Sequence, residues 1–140
     1  MATVAGEFFP WSDAYILDIG IIDRQHRNLV SFVNELRQAL AEEHGNAKVK
    51  PLFSLLVKYA HVHFETEEML MQLHEYPDYP VHKAEHDRLT DTVAEFKYKF
   101  QRNEIELTVE MMEFLKDWAV KHILGFDKKY GPFLNSKGVF

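Results

Sequence analysis

Apolar positions recur along most of this chain at alternating intervals of three and four, the spacing that keeps side chains on one face of an α-helix. The first stripe reads Ile22, His26, Leu29, Val33, Leu36, Leu40, and predicts a helix from Asp23 to Glu43. Asp23 suits its N-cap and His44-Gly45-Asn46 its stop. The second reads Leu52, Leu56, Tyr59, His63, Thr66 or Glu67, and Leu70, and predicts a helix over 47–73. Pro51 falls in its early part, where a missing N–H does least harm, and the run from Glu75 to Pro80 ends it. His82, His86, Leu89, Val93, Phe96 and Phe100 mark a third helix over 81–102. Val109, Met112, Leu115, Ala119 and His122 mark a fourth over 107–124.

Helices of this length span about 25–40 Å at 1.5 Å per residue. The segments joining them are short, so successive helices should run antiparallel. The expected fold is all-α, an up-down-up-down antiparallel four-helix bundle in a single domain. Residues 1–22, carrying Trp11, Tyr15, Ile16, Ile19 and Ile21, are too apolar for a free tail and should lie across the bundle as an N-terminal arm. Gly125 should end or distort the fourth helix, leaving 125–140 as an irregular tail.

The stripes contain a second pattern. Six of the positions where a helix would ordinarily bury a leucine hold His26, His63, Glu67, His82, His86 and His122. Scattered core histidines are the bland alternative, but five of them with a carboxylate would leave many buried polar groups unpaired, which is costly. His63 and Glu67, in HFETE (63–67), are four apart and share a face, as do His82 and His86 in HKAEH (82–86). Asp127 ends HILGFD (122–127); an ideal helix would turn it about 140° away from His122 at 100° per residue. A bulge at Gly125 would bring it back. Antiparallel helices place all these residues at one end of the bundle.

Five imidazoles and two carboxylates are too many for one structural zinc, which takes four ligands. They suit two six-coordinate ions. With Glu67, Asp127 and a water-derived oxygen bridging, one ion that takes three histidines is full, and one that takes two keeps an open position. Imidazole and carboxylate ligands suit first-row transition metals, iron foremost for oxygen chemistry. The other histidines read as structural: His44 and His74 at helix ends, His61 on the surface. Met69, Met71, Met111 and Met112 read as packing.

Composition removes several functions. The chain has no cysteine, which excludes thiol catalysis, disulfides and thiolate metal sites. Its formal net charge of −6 argues against nucleic-acid binding. The N-terminus lacks the features of a secretory signal and no long apolar run exists, so a cytoplasmic protein without a membrane span is expected.

The ordered set IDRQH (22–26), HFETEE (63–68), YPVHKAEH (79–86) and WAVKHILGFDKKY (118–130), with WSD (11–13) ahead of it, resembles the hemerythrins, specifically the single-domain bacterial type. The resemblance covers nearly the whole chain. It implies that His82, His86 and His122 bind one iron, that His26 and His63 bind the other, and that Glu67 and Asp127 bridge an oxo- or hydroxo-bridged pair. It implies reversible binding of O2 at the five-coordinate iron, held as a hydroperoxide, in a carrier or store rather than an enzyme. Leu29, Phe64, Trp118 and Ile123 match the family's oxygen-pocket walls, and Tyr130 matches a tyrosine that often follows the bridging aspartate. Ala119 departs from the pattern, for the family usually has leucine there. The expected partner is O2, taken up by a monomer that could serve a separate oxygen-consuming recipient. The competing readings are a di-iron oxidase or peroxidase, kept open as a side activity by Ala119, and an oxygen or redox sensor, for which no output module is expected.

Overall fold

The computed structural model describes residues 7–42 and 46–140. Four long helices dominate them: α1 (Gly20–Ala41), α2 (Asn46–Leu73), α3 (Tyr79–Gln101) and α4 (Val109–His122). The all-α, four-helix architecture is the expected one. α4 passes through a π turn (Ile123–Asp127) into a further helix, α5 (Lys128–Ser136), and a short 3-10 turn (Asp13–Tyr15) precedes α1. No helix among the described residues is long and apolar enough to cross a membrane.

The stripes face inward except at Val109, the first residue of α4, which is exposed. Ile22, Val33 and Leu36 of α1, Leu56 of α2, Phe100 of α3 and Met112 of α4 are buried. At the end of the bundle away from the histidines, Phe53 meets Phe96 and Phe100 edge-on, with ring centroids 5.3 and 5.6 Å apart.

Helix ends follow local chemistry. Thr108 caps α4, its hydroxyl accepting from the Met111 N–H at 3.2 Å. α3 stops at Asn103, whose φ of 60° lies in the left-handed region that asparagine tolerates. The Glu104 N–H then bonds back to the Lys99 carbonyl, and the turn is closed. Glu75 does the same after α2, with φ 54° and the Tyr76 N–H on the Met71 carbonyl.

Five expectations need correction. Met69, read as packing, is exposed on α2. Asp23 is not the N-cap of α1, which begins at Gly20 with Ile19 as its cap. The Asp23 carboxylate instead accepts from the Leu17 N–H at 2.8 Å, fixing the chain just ahead of the helix. Pro51 sits at the sixth position of α2, deeper than the first turn. Residues 125–140 are largely helical, and their inner face buries Tyr130 and Leu134. Of the arm's apolar residues, Tyr15 and Ile19 are buried but Ile21 is exposed, because α1 has already begun there and turns it outward. The expected stop at His44-Gly45 lies outside the described residues.

The arm does lie across the bundle. Phe9 is buried, and Asn34 of α1 grips its backbone from both sides, accepting from the N–H at 2.7 Å and donating to the carbonyl at 2.8 Å. Lys116 of α4 donates to the Phe8 carbonyl at 2.7 Å, and Lys128 to that of Ile16 at 2.8 Å. These bonds tie the arm to α1, α4 and α5, on the flank of the cluster of histidines.

Candidate metal centre

All seven polar residues singled out from the stripes and from Asp127 are buried, and all seven converge. His26 comes from α1, His63 and Glu67 from α2, His82 and His86 from the start of α3, His122 from the end of α4 and Asp127 from the π turn. The π turn places the last of them. The Lys128 N–H reaches the Ile123 carbonyl, five residues back instead of four, which adds a residue to the turn. Asp127 therefore swings onto the face of His122, its Oδ1 3.1 Å from His122 Nε2. Gly125 does not end the helix, and a Cβ built on it would meet nothing within 4 Å.

Two groups of possible ligands share one carboxylate: Glu67, His82, His86 and His122, and His26, His63, Glu67 and Asp127. Asp127 spans them. Its Oδ1 is 3.1 Å from the Nε2 atoms of His82 and His122, while its Oδ2 is 3.0 Å from His26 Nε2. Glu67 Oε1 lies 3.2 Å from both His63 Nε2 and His86 Nε2. The other oxygen, Oε2, receives a hydrogen bond from the buried Tyr130 hydroxyl.

The orientation of these groups is the test of whether they fit a metal. His26 Nε2, Glu67 Oε1 and both oxygens of Asp127 have no hydrogen-bond partner among the described residues, although imidazole Nε2 atoms and carboxylate oxygens stand 3.0–3.2 Å apart. These atoms are close but do not point at one another, whereas His122 Nε2 lies at hydrogen-bond distance, 3.1 Å, from the Nε2 atoms of both His82 and His86. His82 Nε2, His122 Nε2 and Asp127 Oδ1 form a triangle with 3.1 Å edges. Equal edges of that length surround a point about 1.9–2.2 Å from each corner, for tetrahedral or octahedral geometry, and metal–imidazole bonds are ~2.0–2.1 Å. The donor set fits cations held between the side chains better than it fits hydrogen bonds among them.

The electrostatics agree. Burial, and the Asp127 charge beside it, push the Glu67 carboxyl up, but the His63 and His86 imidazoles outweigh both and hold it below the usual carboxylate range. Asp127 is likewise pushed up by burial and drawn well down by His122, His26 and His82. Burial opposes charge on His26 and His86, yet the neighbouring carboxylates raise both above the ordinary imidazole value. Tyr130 is raised well above its usual value, by burial first and then by Glu67 and Asp127, so it stays a neutral donor. The cluster thus holds two ionised carboxylates in a buried space, a strong attraction for cations.

An outer ring fixes the ligands. His86 Nδ1 lies 2.8 Å from Glu68 Oε2, and His63 Nδ1 2.7 Å from Gln25 Oε1, which leaves each Nε2 free to face inward. Thr66 accepts from the Gln25 amide at 3.2 Å and holds it in place. Glu68 and Gln25 are absent from the sequence reading because each lies one position off the stripe. Their only signal is adjacency to Glu67 and His26. The rings are also clamped by stacking: Phe64 on His86 at 3.9 Å, and Trp118 and Phe126 on His122 at 4.4 and 5.3 Å.

A family model described as the hemerythrin HHE cation binding domain matches residues 17–134. This chain belongs to the hemerythrin family. It is 37% identical over 120 residues to a bacteriohemerythrin of Methylococcus capsulatus, covering 85% of this chain and 90% of that one. A bacteriohemerythrin of Clostridium acetobutylicum is 31% identical over 126 residues, with 87% and 98% covered. A crystal structure of wild-type hemerythrin superposes with a TM-score of 0.86 at 34% identity, over 91% of this chain and 98% of that one. Hemerythrins bind O2 at a di-iron centre, and the cluster here is suited to metal binding.

The four residues matched to an oxygen pocket, Leu29, Phe64, Trp118 and Ile123, line one apolar cavity together with Ala119, and it also reaches His26, His63, His122 and Asp127. The cavity is far larger than a diatomic needs, about 650 Å³. It continues past Val33, Phe53, Val93 and Leu115 towards the other end of the bundle. His61 is exposed, as expected, and lies near Glu65 at 3.8 Å.

Proposed function

We propose that this chain binds O2 reversibly, as a carrier or store, at two iron ions held by these seven residues. His82, His86 and His122 are assigned to one ion and His26 and His63 to the other, with Glu67 and Asp127 between them. The observation that carries the reading is Asp127, whose two oxygens face opposite groups of histidines without hydrogen-bonding to either. Iron held by these seven residues would supply the two electrons that O2 takes on binding and gives back on release.

The protein's own contribution is placement and exclusion. Gln25 and Glu68 hold His63 and His86 with Nε2 inward. Tyr130 orients Glu67 and keeps one of its oxygens satisfied. Leu29, Phe64, Trp118 and Ile123 supply apolar walls that limit water at the open position, and Ala119 leaves a gap among them. Histidine-rich coordination carries less negative charge than the carboxylate-rich sites of di-iron oxidases, which favours binding over turnover. A weak oxidase or peroxidase side activity is the second reading, favoured by the size of the cavity beside Ala119.

The test is a cycle of air and vacuum on the reduced, iron-loaded protein. A visible charge-transfer band that forms in air and disappears under vacuum over repeated cycles supports the carrier. Continuous oxygen consumption with bleaching of the band rejects it in favour of the oxidase.

A further inference from the structure

The cavity extends well beyond the metal cluster. Its α2 wall runs from Phe53 to Phe64, eleven steps along the helix, or about 16 Å at 1.5 Å per residue. Its volume of about 650 Å³ falls within the range of sites that hold small organic molecules, ~300–1,000 Å³. The deep lining is aliphatic and aromatic, including Val33, Leu56, Leu89, Val93 and Leu115.

Polar side chains gather where α2 and α3 flank the cavity. Ser54, Lys58 and His61 come from α2, and Thr90 and Lys97 from α3. The neighbours Glu68 with His86, and Phe53 with Phe100, set the antiparallel register of these helices. On that register Lys58 and Lys97 fall at the same level, one on each side. Neither ammonium has an ion-pair partner among the described residues. The acidic side chains closest in sequence are engaged elsewhere, Glu65 near His61 and Glu95 on Lys99. The chain carries a net charge of −6, so two lysines at one level of an apolar hollow, neither with an ion-pair partner among the described residues, are a local exception.

We propose that this cavity binds a medium-chain aliphatic carboxylate, its hydrocarbon tail among Leu56, Val93 and Leu115 and its carboxylate between Lys58 and Lys97. The tail gains the burial of apolar surface, and the head gains two charge-assisted hydrogen bonds at the rim. A ligand seated there shares the cavity with the oxygen site without requiring a bond to metal.

The experiment is calorimetric titration of the iron-loaded protein with decanoate, decanol and acetate. Decanoate is expected to saturate at one per chain, to bind roughly tenfold more tightly than decanol, and to be unmatched by acetate in the same range. The double variant K58A/K97A should lower decanoate affinity to that of decanol, leaving decanol and iron content unchanged. Absence of saturable decanoate binding overturns the proposal. So does equal affinity for decanoate and decanol, or undiminished decanoate binding in the double variant. This outcome is independent of oxygen reversibility, since the titration is read on the oxidised protein.

Discussion

Ala119 lines the cavity one helical turn before His122, on the same face of α4. Replacing it with leucine adds three carbons to the cavity wall. Burying a methylene contributes about 0.8 kcal/mol, so three contribute at most ~2.4 kcal/mol. Ala119 is only half-buried and the cavity is open, so about 1 kcal/mol is the expected gain. For a domain of this size that corresponds to a rise in Tm of about 3–4 °C in the metal-free protein. The functional effect should be larger, because the added side chain stands where water would approach the open position. Decay of the oxygenated form to the di-ferric form, followed by loss of the visible band in air, should slow several-fold in Ala119→Leu. A gain in Tm with an unchanged decay rate would show that the leucine packs but that water enters by another route. The account of the pocket would then be wrong.

Other side chains give equally direct outcomes. Gly125→Ala should leave iron content unchanged and stabilise the protein by about 0.5–1 kcal/mol in urea unfolding, since the added Cβ meets nothing and glycine is costly in a helix; loss of iron would show that the π turn needs glycine. Tyr130→Phe strands Glu67 Oε2 in a buried space and should cost the metal-free protein about 1–3 kcal/mol, read by urea unfolding, with a cost near zero refuting the role given to that hydroxyl. Glu68→Gln removes the charge behind His86 and should weaken iron binding ~10-fold or more in a chelator competition; unchanged affinity would mean that Glu68 does not tune the ligand.

The helical stripes carried most of the architecture, because a 3.6-residue period recurs several times within helices of 14 to 28 residues. His26, His63, Glu67, His82, His86 and His122 were legible for the same reason: each replaces an apolar residue on an inward face. Asp127 was legible only through the bulge expected at Gly125, which the π turn over Ile123–Asp127 supplies. Its direction depends on that turn, and the glycine that suggested a distortion has no steric part in it. Helix α5 was hidden because Gly131 and Pro132 lower its intrinsic helicity, while burial of Tyr130 and Leu134 supplies the compensation. Gln25 and Glu68 lie off the stripe, where polar residues are ordinary, so nothing in the periodicity marks them. The extent of the cavity was illegible too, since a void depends on how four helices pack and not on any one of them.

Asp127 and Glu67 are expected to lie between two separate metal ions, and anomalous diffraction at the iron edge, from crystals of the iron-loaded protein, reads their positions. Two peaks are expected, one beside the Nε2 atoms of His82, His86 and His122 and one beside those of His26 and His63, with the Asp127 carboxylate between them. A single peak, or a pair that leaves Asp127 to one side, would contradict this arrangement.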